Sequence, residues 1–232
     1  MPGRTVLAAF FLLVLGSALV LGYFSTPSRA GVEDSVSLPE VTAGEEDSLS
    51  YLLFQRSSVR QFGDEEIGLE KVTRVAFSAQ GITRQGRFRT VPSAGATYPI
   101  EVYVAVGEVQ GLEEGIYRYR PHYHDLVLVR EGDKRRELAR AALGQYWIDE
   151  AQTVFVLGAV YERVTDRYGP RGERYAHIEV GCSAQSMSLK AAELGMGTTL
   201  VGAFHDDQVR NIIGDDRDLS PLLVMPVGLL AQ

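Results

Sequence analysis

Apolar residues along this chain recur at two different spacings, which predict where helices and strands lie. Val72, Val75 and Ala79 fall on one face of a helix over residues 69–80. Residues 154–161 form instead a nearly continuous apolar run, which is typical of a strand covered on both faces. The first pattern predicts an amphipathic helix, and the second predicts a buried strand.

The same spacings, together with capping residues, predict the other elements. Ser48, Asp133 and Asp206 have side chains that favour the start of a helix, and Gly81 favours a helix end. The predicted helices span 49–55, 69–80, 133–143, about 173–194 and 206–213. The predicted strands span 101–106, 115–119, 126–129, 154–161, 197–201 and 222–227. Helices and strands alternate irregularly, which predicts an α+β fold with a layered sheet.

The predicted helix over residues 173–194 contains few bulky side chains. Its small residues are Gly181, Cys182, Ser183, Ala184, Ser186, Ser188, Ala191 and Ala192. A helix with so little bulk lets another backbone approach it closely. It is therefore interpreted either as a tightly packed central helix or as part of a subunit interface near a ligand, and the two interpretations are compatible.

The N-terminal segment, residues 1–30, differs in character from the rest of the chain. After Arg4, residues 5–24 carry no formal charge, and about twenty apolar residues suffice to span a bilayer. Ser28 and Ala30 form a small-x-small pattern, so a cleaved signal peptide is the alternative to a retained membrane anchor. A buried core helix is a third interpretation, although the segment has no polar face. The first two predict a location outside the cytoplasm, either membrane-anchored with an extracytoplasmic domain or secreted or periplasmic.

The remaining composition limits the kinds of partner and site. Residues 31–47 are acidic and aperiodic, which predicts a linker before a globular domain over residues 48–232. With 45% hydrophobic and 23% charged residues, the 232-residue chain has an ordinary globular composition. A net charge of -7 argues against nucleic acid as a partner. Cys182 is the single cysteine, which excludes an internal disulfide and a zinc site of several thiolates, so no metal is predicted.

A loop of small residues precedes the first long strand. Its sequence is Pro-Ser-Ala-Gly-Ala-Thr-Tyr-Pro over residues 92–99. The two prolines stiffen its ends, and there is almost no side-chain bulk between them. Such a backbone can lie flat against a planar ligand and offer it N–H groups, so a bound cofactor is predicted to carry the chemistry.

A short basic segment lies upstream of this loop. Arg56-Ser57-Ser58-Val59-Arg60 places two guanidinium groups and two hydroxyls within five residues. Arginine forks match the oxygens of a phosphate, and serine hydroxyls add donors. The alternative interpretation is a solvated helix end with surface arginines.

The order of these motifs carries more information than any one of them. Arg-x-Ser-x-Arg over 56–60 is followed by the loop over 92–99. Further matching segments are Tyr161-Glu162-Arg163, Tyr168-Gly169-x-Arg171-Gly172-x-Arg174-Tyr175, His177-x-Glu179-x-Gly181 and Val201-Gly202-Ala203-Phe204. Over residues 49–229 this ordered set resembles the nitroreductase-like FMN-dependent flavoproteins, and most of all their SagB-type dehydrogenase branch.

The resemblance implies a fold, a cofactor and a set of binding residues. The fold would be a three-layer α/β/α sandwich with a mixed or antiparallel central sheet, in a domain-swapped homodimer with FMN at the interface. The implied cofactor-binding residues are Arg56, Ser57, Ser58, Arg60, Pro92, Ser93, Ala94, Gly95, Ala96, Gln145, Gly202 and Ala203. The implied activity is hydride transfer through FMN with a small organic or peptide substrate.

Two departures from the family pattern concern the chemistry. Where azoline-oxidising members have a Lys-Tyr pair, this chain has Arg167-Tyr168, which are the implied catalytic residues. Arginine stays charged and is a poor general base, and a tyrosine needs its pKa lowered from about 10 to serve as one. Leu229 follows Pro-Val-Gly where a basic residue is frequent, so Arg210 or another residue would replace that phosphate contact. A peptide azoline dehydrogenase and a non-catalytic FMN-binding module are the alternatives.

Overall fold

The computed structural model describes residues 42–46, 48–84, 86, 88–215 and 217–231. The predictions of an N-terminal anchor or signal peptide over residues 1–30, and most of the predicted linker, lie outside these residues. No helix in the described ranges has both the length and the apolar character needed to cross a membrane.

The helices and strands of the described residues follow one another along the chain. The helices are α1 (Leu49–Gln55), α2 (Leu69–Gln80), α3 (Arg135–Ala141), α4 (Glu162–Tyr168), α5 (Arg171–Glu193) and α6 (Asp206–Ile213). The strands are β1 (Ile67–Gly68), β2 (Ile82–Thr83), β3 (Phe88–Arg89), β4 (Ile100–Val106), β5 (Val109–Gln110), β6 (Gly115–Arg120), β7 (Asp125–Glu131), β8 (Thr153–Ala159), β9 (Met196–Thr198) and β10 (Ser220–Leu229). Short 3₁₀ turns occupy Ala94–Ala96 and Tyr146–Ile148.

A six-stranded sheet forms the centre of the domain. Its strand order is β7-β6-β4-β8-β10-β9, and every neighbouring pair is antiparallel. In the central pair, Ile100 lies opposite Ala159 and Val106 lies opposite Thr153. The predicted sheet is therefore confirmed, and of the two expected forms it is the antiparallel one.

Helices cover both faces of this sheet. Because successive strand residues point to opposite faces, Val102 and Val104 of β4 join one core while Tyr103 and Ala105 join another. The first core includes apolar residues of α2 and α5, and the second includes residues of α3 and α6. The predicted α+β, three-layer α/β/α sandwich is confirmed.

Most predicted elements agree with the structure, and the differences have local causes. α1 and α2 have the predicted bounds, and Ser48 Oγ accepts a hydrogen bond from the backbone N–H of Tyr51 at 3.1 Å. The predicted helix over 133–143 is shorter, spanning Arg135–Ala141. The strand predicted over 197–201 ends at Thr198, and Val201 instead forms an isolated bridge with Val224.

Helix α4 was not predicted from the sequence. Among its seven residues only Val164 is buried, so no apolar periodicity marks it. It ends at Gly169, whose φ of 58° turns the chain towards α5. The structure therefore places the Arg167-Tyr168 pair in the last turn of a helix.

Gly81 ends α2 as predicted, but a close contact explains why glycine stands there. Its φ of -58° and ψ of 148° are open to any residue, so no left-handed cap is formed. A Cβ at this position would lie 2.5 Å from the carbonyl oxygen of Phe77 and 2.4 Å from its ring. The absence of a side chain lets the backbone turn directly against Phe77.

Replacing Gly81 by alanine tests this contact. We expect Gly81→Ala to lower the free energy of unfolding by about 1–3 kcal/mol, because the new methyl group must displace the helix backbone or the Phe77 ring. Gly68→Ala at the other end of α2 is the matched control, since a Cβ there meets nothing within 4 Å. It should cost less than about 1 kcal/mol through its N-cap preference alone. Urea unfolding of both variants measures the difference, and equal losses would contradict the steric explanation.

Candidate functional site

The loop between Pro92 and Pro99 exposes its backbone through unusual dihedral angles. Gly95, Ala96 and Tyr98 have φ values of 59°, 56° and 48°, a region that residues with a side chain seldom adopt. Ser93 holds this shape, because its carbonyl accepts from Ala96 N at 3.1 Å and its hydroxyl accepts from Tyr98 N at 2.9 Å. Gly95 and Ala96 consequently lie exposed at the tip of the loop.

The end of α4 packs directly against this loop. Arg167 Nη1 donates a hydrogen bond to the carbonyl of Gly95 at 2.9 Å. A Cβ on Gly95 would lie only 2.6 Å from the Tyr168 hydroxyl. The structure thus brings the predicted catalytic pair, Arg167 and Tyr168, together with the predicted cofactor loop, and glycine at position 95 is what permits the approach.

A buried carboxyl group lies beneath the loop. Glu179 of α5 has only 2% of its surface exposed, and Gln80 Nε2 donates to its Oε1 at 3.3 Å. Burial raises the pKa of Glu179, while the Ser93 hydroxyl, the Gln80 amide and the Arg89 guanidinium oppose that rise. The sequence offered one signal of this buried position, because Glu179 belongs to the predicted helix that contains few bulky side chains. The sequence analysis did not assign Glu179 to the site.

The predicted phosphate-binding segment lies elsewhere, beside β9. Val59 N donates to the carbonyl of Thr198 at 3.0 Å, so the segment runs along the edge of the sheet. Gly197 permits this contact, because a Cβ there would lie 2.6 Å from the Cβ of Val59. The guanidinium of Arg60 lies over the ring of Trp147, 5.5 Å from its centroid. Ser57, Ser58 and Arg60 are exposed.

A cavity of about 160 Å³ lies next to this segment. Its wall includes Arg56, Ser57, Ser188 and Thr198. The buried hydroxyl of Thr198 has no hydrogen-bond partner within the described part of the chain. Among those same residues no carboxylate lies within 4 Å of the Arg56 guanidinium. A donor set of this kind suits an anionic, oxygen-rich ligand.

Gln145, Gly202 and Ala203 form a third group. Gln145 Nε2 donates to the carbonyl of Ala142 at 2.8 Å and to that of Ala203 at 3.3 Å. Gly202 and Ala203 are exposed between the Val201 bridge and α6. The structure therefore brings Gln145 to the 202–203 segment, as expected if these residues contact the same ligand.

Residues 56–60, the arginine segment, lie apart from the loop over residues 92–99 within one chain. No hydrogen bond or ion pair between described residues joins positions 56–60 to positions 92–99. Both border α5, where Glu179 faces the loop and Ser188 lines the arginine cavity. Ser188 lies nine positions after Glu179, which is a rise of about 13 Å along the helix. A single chain therefore presents two separate surfaces.

Comparison with known proteins identifies the family. A model described as the nitroreductase family matches residues 53–229. The chain therefore belongs to the nitroreductase family and is an oxidoreductase of that kind.

Individual relatives agree with this assignment. A protein of Methanocaldococcus jannaschii that carries a provisional nitroreductase designation is 45% identical over 83% of this chain and 95% of its own length. A solved structure from Ralstonia eutropha with the same provisional designation is 27% identical, with a TM-score of 0.71 over 84% of this chain and 89% of that one. The microcin B17-processing protein of Escherichia coli is 28% identical, and the match covers 69% of this chain and 60% of that protein.

Stability against pH tests the environment of Glu179. Because burial raises its pKa, the protonated carboxyl favours the folded state, and that contribution is lost as pH rises through the folded pKa. Glu179→Gln cannot ionise, so it should gain stability relative to the wild type between pH about 4 and about 8. Urea unfolding at both limits measures this change.

The control for this measurement is Glu173→Gln, which alters an exposed glutamate on the same helix. It should follow the wild type across the range. A difference between Glu179→Gln and the wild type that stays constant with pH would contradict the assignment of a buried, titrating carboxyl.

Proposed function

We propose that this protein is an FMN-dependent oxidoreductase that transfers hydride between FMN and a small organic or peptide substrate. The observation that carries the proposal is the exposed backbone at Gly95 and Ala96, which lies against Arg167 and Tyr168. Exposed main-chain groups next to two polar side chains suit a planar cofactor and a reacting substrate.

The arginine segment has the chemistry to hold the cofactor's phosphate. Arg56 and Arg60 would pair with its oxygens, while Ser57 and Ser58 would donate to the phosphate or the ribityl chain. The unpartnered Thr198 hydroxyl in the same cavity supports this proposal, because it supplies a further polar group to an oxygen-rich ligand. Arg210 is not available in the same way, since its Nε donates to the carbonyl of Leu219 at 2.7 Å.

The small residues of the loop would face the flavin ring. Pro92, Ser93, Ala94, Gly95 and Ala96 would lie along it, with Gly202, Ala203 and Gln145 nearby. When bound, FMN supplies the capacity to accept or give a hydride. Loop N–H groups that are not already bonded within the loop would donate to the cofactor and favour its negatively charged form without reorganising.

Arg167 and Tyr168 are the residues proposed to act on the substrate. Arg167 remains a cation and is tied to the Gly95 carbonyl, so its role is to fix the loop and attract a polar substrate group. The Tyr168 hydroxyl reaches the exposed tip of the loop and is the group placed to hold or move a proton.

A homodimer would complete the site. The two surfaces on one chain are separated along α5, and a second copy would bring the arginine segment of one chain to the loop of its partner. Two exposed residues of α5 without polar side chains support this proposal. They are Ile178, which is 58% exposed, and Gly181, where a Cβ would meet nothing within 4 Å.

Arg60→Gln in the full chain tests the cofactor assignment. Loss of a charge-assisted contact to phosphate should weaken FMN binding about ten- to a hundredfold, whereas Arg136→Gln on the exposed face of α3 should leave it unchanged. Titration followed by visible absorbance gives the affinity, and native mass measurement gives the subunit number. Full-length protein that takes up no FMN would overturn the proposal.

A peptide substrate is a second, more specific candidate, favoured by the relation to the microcin B17-processing protein. In this case the FMN-loaded chain should convert a thiazoline-containing peptide to a product lighter by two hydrogens. Tyr168→Phe should lower kcat about a hundredfold, as expected for loss of a proton-transfer group, while FMN affinity stays within about twofold.

Mass spectrometry of the peptide and FMN titration of the variant measure these two effects. An unchanged peptide mass would remove the azoline dehydrogenase candidate. Bound FMN that no panel of donors and acceptors can reduce and reoxidise would favour a non-catalytic binding module.

A further inference from the structure

A second, larger cavity lies at the end of the sheet where β4 begins and β6 turns into β7. Its volume is about 380 Å³. Thr97 and Tyr98, from the last part of the loop, form one wall, and the β6–β7 turn with His122 and Tyr123 forms another. None of the implied cofactor-binding or catalytic residues lines this cavity.

Arginines are the most frequent charged residues in the wall of the cavity. Four arginines line it together with a single carboxylate, that of Glu101. Glu101 is already committed, because its Oε1 lies 2.5 Å from Arg163 Nη2 and its Oε2 lies 3.9 Å from Arg118 Nη1. Arg120 is paired with Asp125, whose Oδ1 accepts from Arg120 Nε at 2.8 Å. Asp215 Oδ2 in turn lies 3.8 Å from Arg118 Nε. Of the four arginines, Arg89 is therefore the one that has no carboxylate within 4 Å among the described residues.

Arg89 carries the least compensated of these charges. Among the described residues, no carboxylate lies within 4 Å of its guanidinium. Burial lowers the pKa of Arg89, and the carboxyl groups of Glu179 and Glu101 only partly oppose that effect. Its Nη1 donates to the carbonyl of Gln80 at 2.8 Å, and its Nη2 lies 3.5 Å from His122 Nε2.

Tyrosine rings orient two of the guanidinium groups. The Arg89 guanidinium lies over the Tyr98 ring, 4.6 Å from its centroid, and that of Arg120 lies over Tyr123 at 4.4 Å. Stacking fixes the plane of a guanidinium and so favours two-pronged hydrogen bonds to a carboxylate or phosphate. In the same cavity, the buried Nε of Arg118 has no hydrogen-bond partner within the described part of the chain, and Asp215 Oδ2 lies 3.8 Å from it.

We propose that this cavity binds a small organic anion, with its acidic group paired to Arg89 and its planar body against the tyrosine rings. The ligand class is an aromatic or heteroaromatic compound with a carboxylate or a phosphate. A neutral compound of the same shape would leave the half-buried guanidinium uncompensated, so the cavity selects for charge. Tyr98 belongs both to the loop over residues 92–99 and to the wall of the cavity, so the ligand lies next to the proposed flavin loop. The binding proposal does not depend on FMN.

Calorimetric titration of the full chain with benzoate, benzamide and phenyl phosphate tests this site. Benzoate should bind at least about tenfold more tightly than benzamide, its neutral analogue. Phenyl phosphate decides between the two anions, because tighter binding than benzoate assigns the site to phosphate esters and weaker binding assigns it to carboxylates. Absence of binding by both anions, or equal affinity for benzamide, would overturn the proposal.

Variants localise the binding to the cavity. Arg89→Met should weaken binding of the preferred anion at least about tenfold, whereas Arg136→Met, which removes an exposed arginine of α3, should leave it unchanged. If circular dichroism shows that Arg89→Met does not fold, Arg120→Met replaces it with the same expected direction. Wild-type affinity in a folded Arg89→Met, or in the Arg120→Met protein that replaces it, would contradict the site.

The FMN content of each sample keeps this result separate from the proposed function. Visible absorbance reports bound FMN, and calorimetry reports the anion. Protein that binds benzoate or phenyl phosphate but takes up no FMN would contradict the flavin proposal alone. Protein that takes up FMN and binds neither anion would contradict only the anion site.

Discussion

The close packing of α5 against α2 and the sheet is the constraint on which both candidate surfaces depend. The buried residues along α5 are mostly small, including Ala176, Ser183 and Ala184, so neighbouring backbones approach it closely. Ser183 Oγ donates to the carbonyl of Ala79 at 3.1 Å, which fixes the position of one helix along the other. Since the loop and the arginine segment border the same helix, their separation follows from this packing.

A line of buried polar groups runs through that packed region and reaches both the loop and the basic cavity. Gln80 Nε2 donates to Ser183 Oγ at 3.1 Å and faces the carboxyl of Glu179, which lies beneath Ser93. The carbonyl of Gln80 accepts from Arg89 on the other side. Buried polar groups are costly unless they find partners, and a network that satisfies most of them permits few alternative arrangements. The shape of the loop and the orientation of Arg89 therefore share one supporting layer.

Local patterns were sufficient for elements whose sequence and environment agree. The Ser48 cap and the apolar face of α2 gave the right bounds, and the continuous apolar run gave β8 as a strand with both faces covered. α4 escaped prediction because a helix that buries only Val164 has no periodicity to detect. Gly81 was assigned to the right place for a different reason, since its role depends on the distance to Phe77 and not on its own dihedral angles.

The sequence by itself determined the family and the layered fold class, because these depend on residue types and their order along the chain. Only the tertiary structure decided how the candidate site residues are grouped. It placed Arg167 and Tyr168 against Gly95, kept the arginine segment apart from the loop, and gathered Arg89 and Arg120 around one cavity. These residues come from separate elements, and their proximity is set by strand order and helix packing, which no local pattern encodes.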